Sequence, residues 1–395
     1  MYLTAQSGHS FFRTTGAREA SRLPRFPRAG GSFFSGIVLT ALSLLVATPG
    51  YAVEEPLGDG WTRFALTGRA YAPAEWGASS VLESDEFWEI SRYDPGKTLD
   101  GDPGTAWVEG APGPGIGESI VLAFPGYPEA LGFINGYAAN RNLFLRNHRV
   151  REFNVTVYTA LNVDGFATEV VTYYDARPVG PARTIRLADR MDPQRVVLPV
   201  DPVAARRAME EFRASPAVSG WDFPQARTMG VDGDVGMPLN FRYILRLEIA
   251  EVYRGSTWED TCVAEIWPDW GEITEVSVSE SMRRLVLTTA DGEHVPGYAD
   301  FEFVLTLLDQ STDGEWAIVI KEPAYPGSGR VHSEYAVIHT PTGQDMTAAI
   351  FPDSASGSSG VLPFMFEEEA GTTYVVYDDL ESGETLRAPC VSPYR

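Results

Sequence analysis

The sequence predicts an all-β protein with one short helical stretch. Short runs rich in Val, Ile, Tyr and Phe recur along the chain and are bounded by Gly, Pro, Asp and Asn, as is typical of strands joined by turns. The 395 residues also include 38 Gly and 28 Pro, a content that favours loop-rich β structure. Many strands at close spacing indicate β-sandwiches rather than a parallel α/β sheet.

The strand-like runs are separated by one convincing helix, residues 201–215, reading DPVAARRAMEEFRAS. Asp201 is placed to cap the helix, Pro202 occupies its first position, and good helix formers fill the body. The runs that predict strands are 119–124, 152–159, 194–199, 243–251, 273–278, 284–289, 301–308, 316–321, 335–340 and 373–377.

The charge of the chain is strongly acidic, with 31 Lys and Arg against 54 Asp and Glu and a net charge of −23. A hydrophobic content of 44% is ordinary for a globular protein and excludes wholesale disorder. Nucleic acid and anionic membrane are not expected partners, because an acidic surface repels their phosphates.

The first 52 residues read as an export signal. They hold five arginines and a single acid, followed by an apolar run at 33–47 and small residues before an acidic start at 53. The apolar run has about 15 residues, whereas a membrane span needs roughly 20. We expect cleavage after Ala52, with an uncleaved anchor as the alternative, and a periplasmic or extracellular location. No later stretch is expected to span a membrane.

Three blocks of the sequence carry a recognisable pattern. They are residues 93–118, YDPGKTLDGDPGTAWVEGAPGPGIGE, residues 134–150, INGYAANRNLFLRNHRV, and residues 247–266, LEIAEVYRGSTWEDTCVAEI. In this order they resemble the NADase-type glycan-binding domain, a discoidin-like or galactose-binding-like jelly-roll β-sandwich of secreted bacterial proteins. Ala264 stands where that family usually has Ser. The resemblance covers about residues 61–267.

The resemblance divides the chain into an export signal, a discoidin-like domain at 53–270 and a C-terminal β-rich part at 271–395. Residues 201–239, which carry the helix, look like an insertion between two strands of the first sandwich. The strand-dense C-terminal part reads as a second, smaller β-sandwich-like domain of no family that we can name. The oligomeric state is left open.

Trp107 is a candidate for stacking on a sugar ring, with Tyr253, Trp258 and Trp76 as alternative platforms. Trp107 follows the acidic turn of the first block, and Trp258 is expected in a loop with Glu259 and Asp260 near the same end of the domain. An aromatic face buries the apolar CH face of a pyranose while nearby polar groups bind its hydroxyls. For Trp107, a position in the core of the sandwich is the favoured alternative.

Polar residues within the same blocks form a candidate hydrogen-bonding set for a ligand: Glu109, Asn135, Tyr137, Asn147 and Arg149. The alternative is structural, with Arg149 paired to Glu109 or to Glu265. His148 lies within the same motif and is a further candidate, although a surface loop histidine is the favoured interpretation.

The acidic turn formed by Asp100, Asp102 and Thr105 offers oxygen atoms of the kind that Ca²⁺ prefers. In galactose-binding-like folds a similar loop closed by a late Glu holds structural calcium, and the resemblance assigns that position to Glu265. The alternative is that Asp100 and Asp102 cap the turn by accepting from their own backbone.

Catalytic signals are sparse. The five histidines and two cysteines form no zinc motif, and the acids are too numerous for any pair to be singled out. Cys262 and Cys390 form a disulfide or remain two free thiols, because two cysteines alone fix no geometry.

We therefore expect an exported, non-catalytic protein that binds a carbohydrate or another cell-envelope ligand. One alternative is an exported hydrolase acting on glycans or NAD, suggested by the toxins in which this family's domain accompanies a catalytic domain. The other is a structural envelope protein that binds another protein.

Overall fold

A computed structural model describes residues 53–68, 74–84, 92–168, 170–231, 233, 236–290, 292, 294–299, 303–324, 333–351, 361–380 and 382–390. The predicted export signal lies outside these residues. Among them, no helix combines the length and the hydropathy that crossing a bilayer requires.

The first part of the chain is a β-sandwich, as the sequence predicts. Its strands are β1 Val53–Gly58, β2 Trp61–Leu66, β3 Glu75–Ala78, β4 Trp107–Val108, β5 Ser119–Phe124, β6 Ala130–Asn135, β7 His148–Val163, β8 Thr172–Pro178, β9 Arg183–Arg186, β10 Gln194–Val197, β11 Leu239–Tyr253 and β12 Thr261–Asp269. One path of paired strands runs β1-β2-β8-β7-β11-β5-β3. The other runs from β10 through β6 and β12 to β4.

The two paths join where the long strand β7 of the first path pairs with β12 of the second. The C-terminal half of β7 pairs with β8, and its N-terminal half pairs with β9. At its very start, β7 lies parallel to β12, with His148 opposite Thr261 and Arg149 opposite Cys262. Side chains of β5 and β6 are buried on both faces, so these strands read as continuous apolar runs rather than as alternating ones.

The helices are short, and the longest confirms the predicted one. Beside a 3₁₀ turn at Pro95–Leu99 they are α1 Arg141–Arg146, α2 Pro202–Ala214, α3 Pro216–Ser219, α4 Pro224–Met229 and α5 Thr347–Ile350. The Asp201 carboxylate accepts from the Val203 and Ala204 amides, which caps α2. The apolar face of α2 packs Phe212 against Trp61, with ring centroids 5.7 Å apart.

The insertion is fixed to the sheet through a buried polar cluster. In α4, the Gln225 backbone amide donates to the Asp175 carboxylate at 2.6 Å, and the Gln225 side chain accepts from the Val163 amide at 2.8 Å. Arg63 binds the same carboxylate through both Nε and Nη2, at 2.8 and 3.3 Å. The insertion is therefore a packed part of the sandwich.

The C-terminal part consists of three short sheets stacked in layers. The first contains β13 Ile273–Val278, β14 Arg284–Thr289 and β15 His294–Ala299. The second contains β16 Phe303–Gln310, β17 Trp316–Pro323, β18 Glu334–His339 and β19 Gln344–Asp345, and the third contains β20 Val361–Glu369, β21 Thr372–Asp379 and β22 Glu384–Pro389. The second sheet is the middle layer: Ala317 and Val319 face the first sheet, whereas Trp316 and Ile318 face the third.

The hydrophobic core is continuous across the predicted domain boundary. Ile266 and Trp270 of the first part belong to the same buried cluster as Ile273 and Leu305 of the second. The described residues accordingly belong to one compact unit. Phe124 packs edge-on against Trp270, with centroids 6.1 Å apart.

The two cysteines are both free. Cys262 is fully buried in β12, and Cys390 is buried beside the third C-terminal sheet. Burial raises the thiol pKa of both, so neither is an activated thiolate. The disulfide alternative is not realised in this structure.

Candidate functional site

The three sequence blocks meet at β12. Val263 pairs with Trp107 of the first block, Glu265 pairs with Ile134 of the second, and Cys262 lies beside Arg149. Residues that lie as many as 156 positions apart in the sequence, such as Trp107 and Val263, are therefore neighbours on paired strands. The blocks form a common structural centre, and the question is which of their side chains reach a surface.

A groove of about 630 Å³ opens beside this centre, and we call it the Trp258 groove. It is lined by Pro114, Ile116, His148, residues 250–252 and residues 254–259. Its walls mix an apolar side chain, Ile116, which is 54% exposed, with the exposed polar residues Ser256, Thr257 and Glu259. This size and mixed lining are typical of small-molecule sites.

Trp258 is held in the groove by the end of α1. The Trp258 amide donates to the Arg146 carbonyl at 2.9 Å, and the Arg146 guanidinium carbon lies 3.8 Å from the centroid of the Trp258 ring. Gly255 packs so closely on the backbone of Arg146 and Asn147 that a β carbon there would collide with it. The loop is thus pinned to α1, with one tryptophan face covered by a cation.

His148 forms the floor of the same groove. It is the first residue of β7 and is only 7% exposed, so the expectation of a surface loop histidine was wrong. Its Nδ1 lies 2.8 Å from the Trp258 carbonyl oxygen and 3.2 Å from the Gly255 nitrogen. A protonated Nδ1 donates to the carbonyl, whereas a bare Nδ1 accepts from the amide, so the tautomer decides which bond forms.

Glu109 anchors the neighbouring loop. Its carboxylate accepts from the Thr261 amide at 3.1 Å and from the Ala111 amide at 2.8 Å, and the residue is fully buried. Burial is the main cause that raises the pKa of Glu109 to about 7, against the lowering effect of the two amides. Glu109 thus fixes the start of the 110–117 loop, which carries Ile116 to the groove.

Asn135 and Arg149 bind other parts of the protein. Asn135 bridges to the backbone of Val150, donating at 2.7 Å and accepting at 3.1 Å. Arg149 forms a bidentate pair with Asp189, at 2.8 and 2.9 Å, so its carboxylate partner is neither Glu109 nor Glu265. The structure assigns both side chains to bonds between elements of the sandwich.

Trp107, Tyr137 and Asn147 are likewise engaged within the protein. Trp107 is completely buried and donates its indole N–H to the Ser80 carbonyl at 3.0 Å, the core position that the sequence favoured. Tyr137 is half-buried against the cluster that contains Cys262. Asn147 caps α1 by donating to the Leu143 carbonyl at 3.0 Å. Of the ligand-binding residues predicted from the sequence, Trp258 and the further candidate His148 line the Trp258 groove, and the others do not.

The acidic turn is largely satisfied by its own atoms. Thr105 donates its hydroxyl to the Asp100 carboxylate at 3.0 Å, and Asp100 also pairs with Lys97 at 3.3 Å. Asp102 accepts from the Gly104 amide at 2.8 Å. These bonds match the alternative in which the aspartates cap the turn.

Glu265 is the exception in this region, because neither of its buried oxygens has a hydrogen-bond partner. Burial first, and then the neighbouring charge of Asp100, raise the pKa of Glu265 to about 9. Among the described residues, no group of three or more His, Cys, Asp or Glu side chains is placed to hold a metal ion. A proton on Glu265 would remove the charge of that carboxylate beside Asp100.

Two structural features, one beside the Trp258 groove and one outside it, were missed by the sequence reasoning. Arg146 was not singled out, although its position directly before the Asn147–Arg149 motif was visible. A second groove, of about 600 Å³, lies where the first part meets the C-terminal part and contains Trp267. Trp267 lies across Gly132 on the paired strand, where any β carbon would collide with the indole.

Comparison with known proteins identifies part of this architecture. Residues 70–189 match the family model of the NAD glycohydrolase translocation F5/8 type C domain. The discoidin-like domain predicted from the sequence is supported over that range, which contains the first two blocks but not the third. F5/8 type C domains often bind carbohydrate. No curated protein matches the chain.

Two solved structures show weak similarity. A GH29 fucosidase of Ruminococcus gnavus in complex with fucose is 10% identical over 49% of this chain and 24% of its own, with a TM-score of 0.17. The arabinofuranosyltransferase AftD from Mycobacteria is 10% identical over 84% of this chain and 33% of its own, with a TM-score of 0.25. The chain spans a third or less of either structure, and at these scores neither bears on fold or function.

Proposed function

We propose that this is an exported, non-catalytic protein whose discoidin-like domain binds a carbohydrate in the Trp258 groove. The observation that carries the proposal is the position of Trp258: it lines an open groove and is held by Arg146 on one side. A sugar stacks on the remaining face of the indole and gives its hydroxyls to neighbouring polar groups.

The groove supplies both kinds of contact that a sugar needs. Ile116 offers an exposed apolar surface in the groove that Ser256, Thr257 and Glu259 also line. The loop that presents them is fixed in advance by hydrogen bonds from residues 256–258 to the carbonyls of Leu145 and Arg146. A pre-formed loop reduces the entropy that is lost when a ligand binds.

The decisive experiment is a glycan array followed by calorimetry on the full chain, comparing Trp258→Ala with the native protein. We expect binding of at least one neutral oligosaccharide and a loss of about tenfold or more in affinity for the variant. Phe364→Ala is the matched control, because Phe364 is a 40% exposed aromatic residue outside the groove. Absence of binding by the folded protein across a broad panel overturns the proposal.

The same preparations test the alternatives. Cleavage of NAD or of an oligosaccharide by the native protein would establish a hydrolase in place of a binding protein. Specific retention of an envelope protein without any glycan binding would support the structural role. Export is tested separately by N-terminal sequencing of the mature protein, which we expect to begin at Val53.

A further inference from the structure

A third groove, of about 770 Å³, lies between the insertion and the edge of the sandwich. We call it the arginine groove, because Arg177, Arg183 and Arg207 all line it. Arg177 lies next to the last residue of β8, Arg183 begins β9, and Arg207 lies on α2, so three separate elements bring arginines to one cavity. The net charge of the chain is −23, so a cluster of three arginines gives this groove a local charge opposite in sign to that of the whole protein.

Among the described residues, no carboxylate forms an ion pair with Arg177. Its guanidinium lies over Trp61, 4.5 Å from the ring centroid, and donates from Nη2 to the Asp59 carbonyl over a long 3.4 Å. The Nε of Arg177 is buried and has no hydrogen-bond partner. A guanidinium that is partly desolvated and incompletely bonded is costly, and an anion beside it would offset that cost.

The other charges of the groove leave room for an anion. Among the ion pairs of the described residues, none includes Arg177 or Arg183. Arg207 pairs with Glu211 at 3.8 Å, but both side chains are more than 70% exposed, so this pair is easily separated. Asp201 is engaged in capping α2 through the Val203 and Ala204 amides.

The remaining walls include several apolar residues. Pro178, Pro181 and Pro199 line the groove together with the ring of Phe212. Such surfaces suit the CH faces of sugar rings, while a guanidinium fork suits a planar carboxylate or a sulfate group. The combination of three arginines with proline rings favours a sugar that carries acid groups over a bare inorganic anion.

We propose that the arginine groove is a second binding site, specific for an acidic saccharide whose carboxylate or sulfate group is bound by Arg177, Arg183 and Arg207. It is separate from the Trp258 groove and does not depend on the function proposed for it. The insertion supplies one wall, so the site exists only because that segment is folded against the sandwich.

The test is calorimetry on the full chain with four probes: trigalacturonate, a sulfated galactan oligosaccharide, a neutral galactan oligosaccharide of equal length, and inorganic phosphate. We expect an acidic saccharide to bind more tightly than the neutral one. Arg183→Glu should weaken that binding by about tenfold or more, the loss expected from one charge-assisted hydrogen bond. The carboxylate and sulfate arms decide which acid group is preferred.

Arg186→Glu is the matched control, because Arg186 lies on the same strand, is 79% exposed and does not line the groove. Equal loss of binding in the Arg183 and Arg186 variants would reveal non-specific attraction and overturn the site. Phosphate binding as tight as that of the saccharides would overturn its saccharide specificity. Trp258→Ala should leave acidic binding unchanged, so the two proposals fail independently.

Discussion

The guanidinium of Arg146 covers one face of Trp258 at 3.8 Å, and the same residue's carbonyl binds the Trp258 amide. Arg146 therefore fixes both the backbone and the ring of the tryptophan. A platform fixed at two points presents a defined face to a ligand without prior rearrangement.

Arg146→Ala should consequently weaken carbohydrate binding in the Trp258 groove without unfolding the protein. The variant keeps the backbone bond but frees the ring, and a cation–π contact near a surface contributes about 0.5–1 kcal/mol. We expect a several-fold rise in Kd by calorimetry and little change in the melting temperature. Arg141→Ala, at the exposed start of the same helix, is the control and should behave as the native protein does. Unchanged affinity in the Arg146 variant would show that the ring needs no such support.

Glu109 predicts a pH dependence of stability. Its pKa in the folded protein is about 7, against 4.5 for an ordinary glutamate, so only the folded state retains the proton between these values. Its contribution to stability is fully present below pH 4.5 and is lost as the pH rises to about 7. Urea unfolding across this window should show a negative slope that is reduced in Glu109→Gln. Glu210→Gln, an exposed substitution on α2, should retain the native slope.

Asp175→Asn should destabilise the protein severely. Asp175 is completely buried and joins Arg63 of β2 to Gln225 of α4, so its loss leaves a largely buried guanidinium unpaired. Breaking such a pair costs about 3–5 kcal/mol. Asp222→Asn breaks the exposed pair with Arg227 and should leave the urea midpoint nearly unchanged. Equal losses of stability in the two variants would contradict the claim that the buried Asp175 stabilises the fold more than the exposed Asp222 does.

The Glu265→Gln variant tests whether the buried Glu265 carboxyl group beside Asp100 carries a proton or binds a metal cation. If a proton neutralises Glu265, the glutamine variant should match the native melting temperature near neutral pH, and EDTA should change neither protein. A rise in the native melting temperature with Ca²⁺ that disappears in Glu265→Gln would instead show that a cation binds there. Asp102→Asn serves as the control for the turn, because Asp102 bonds to its own loop.

Local structure was largely predictable from the sequence, because it depends on neighbouring residues. Every run predicted as a strand lies wholly or mainly in one, and α2 begins and ends within one residue of its predicted bounds. Strand β12 escaped prediction as a strand, although it holds the three blocks together. Its buried Glu265 and the Pro268 near its end interrupt the apolar pattern.

Side-chain partners were much less predictable. Arg149 pairs with Asp189, which lies 40 residues away on a loop that carries no motif. The residue types of the second block suggested a polar site, but burial turned Asn135 and Arg149 inward to satisfy backbone carbonyls and a carboxylate. A sequence motif indicates that a residue contributes to either the fold or the function. The packing of its side chain is needed to decide between these two roles.

Trp270 and Ile273 belong to one buried cluster, which limits where the chain can be truncated for the expression of a fragment. A fragment that ends at residue 270 would expose the face on which Ile273 and Leu305 pack, and would be prone to aggregate before any ligand could be tested. The native protein should melt in one cooperative transition, with both β parts lost together. The C-terminal sheets are in this sense a folding partner of the discoidin-like domain, joined to it by a common interior.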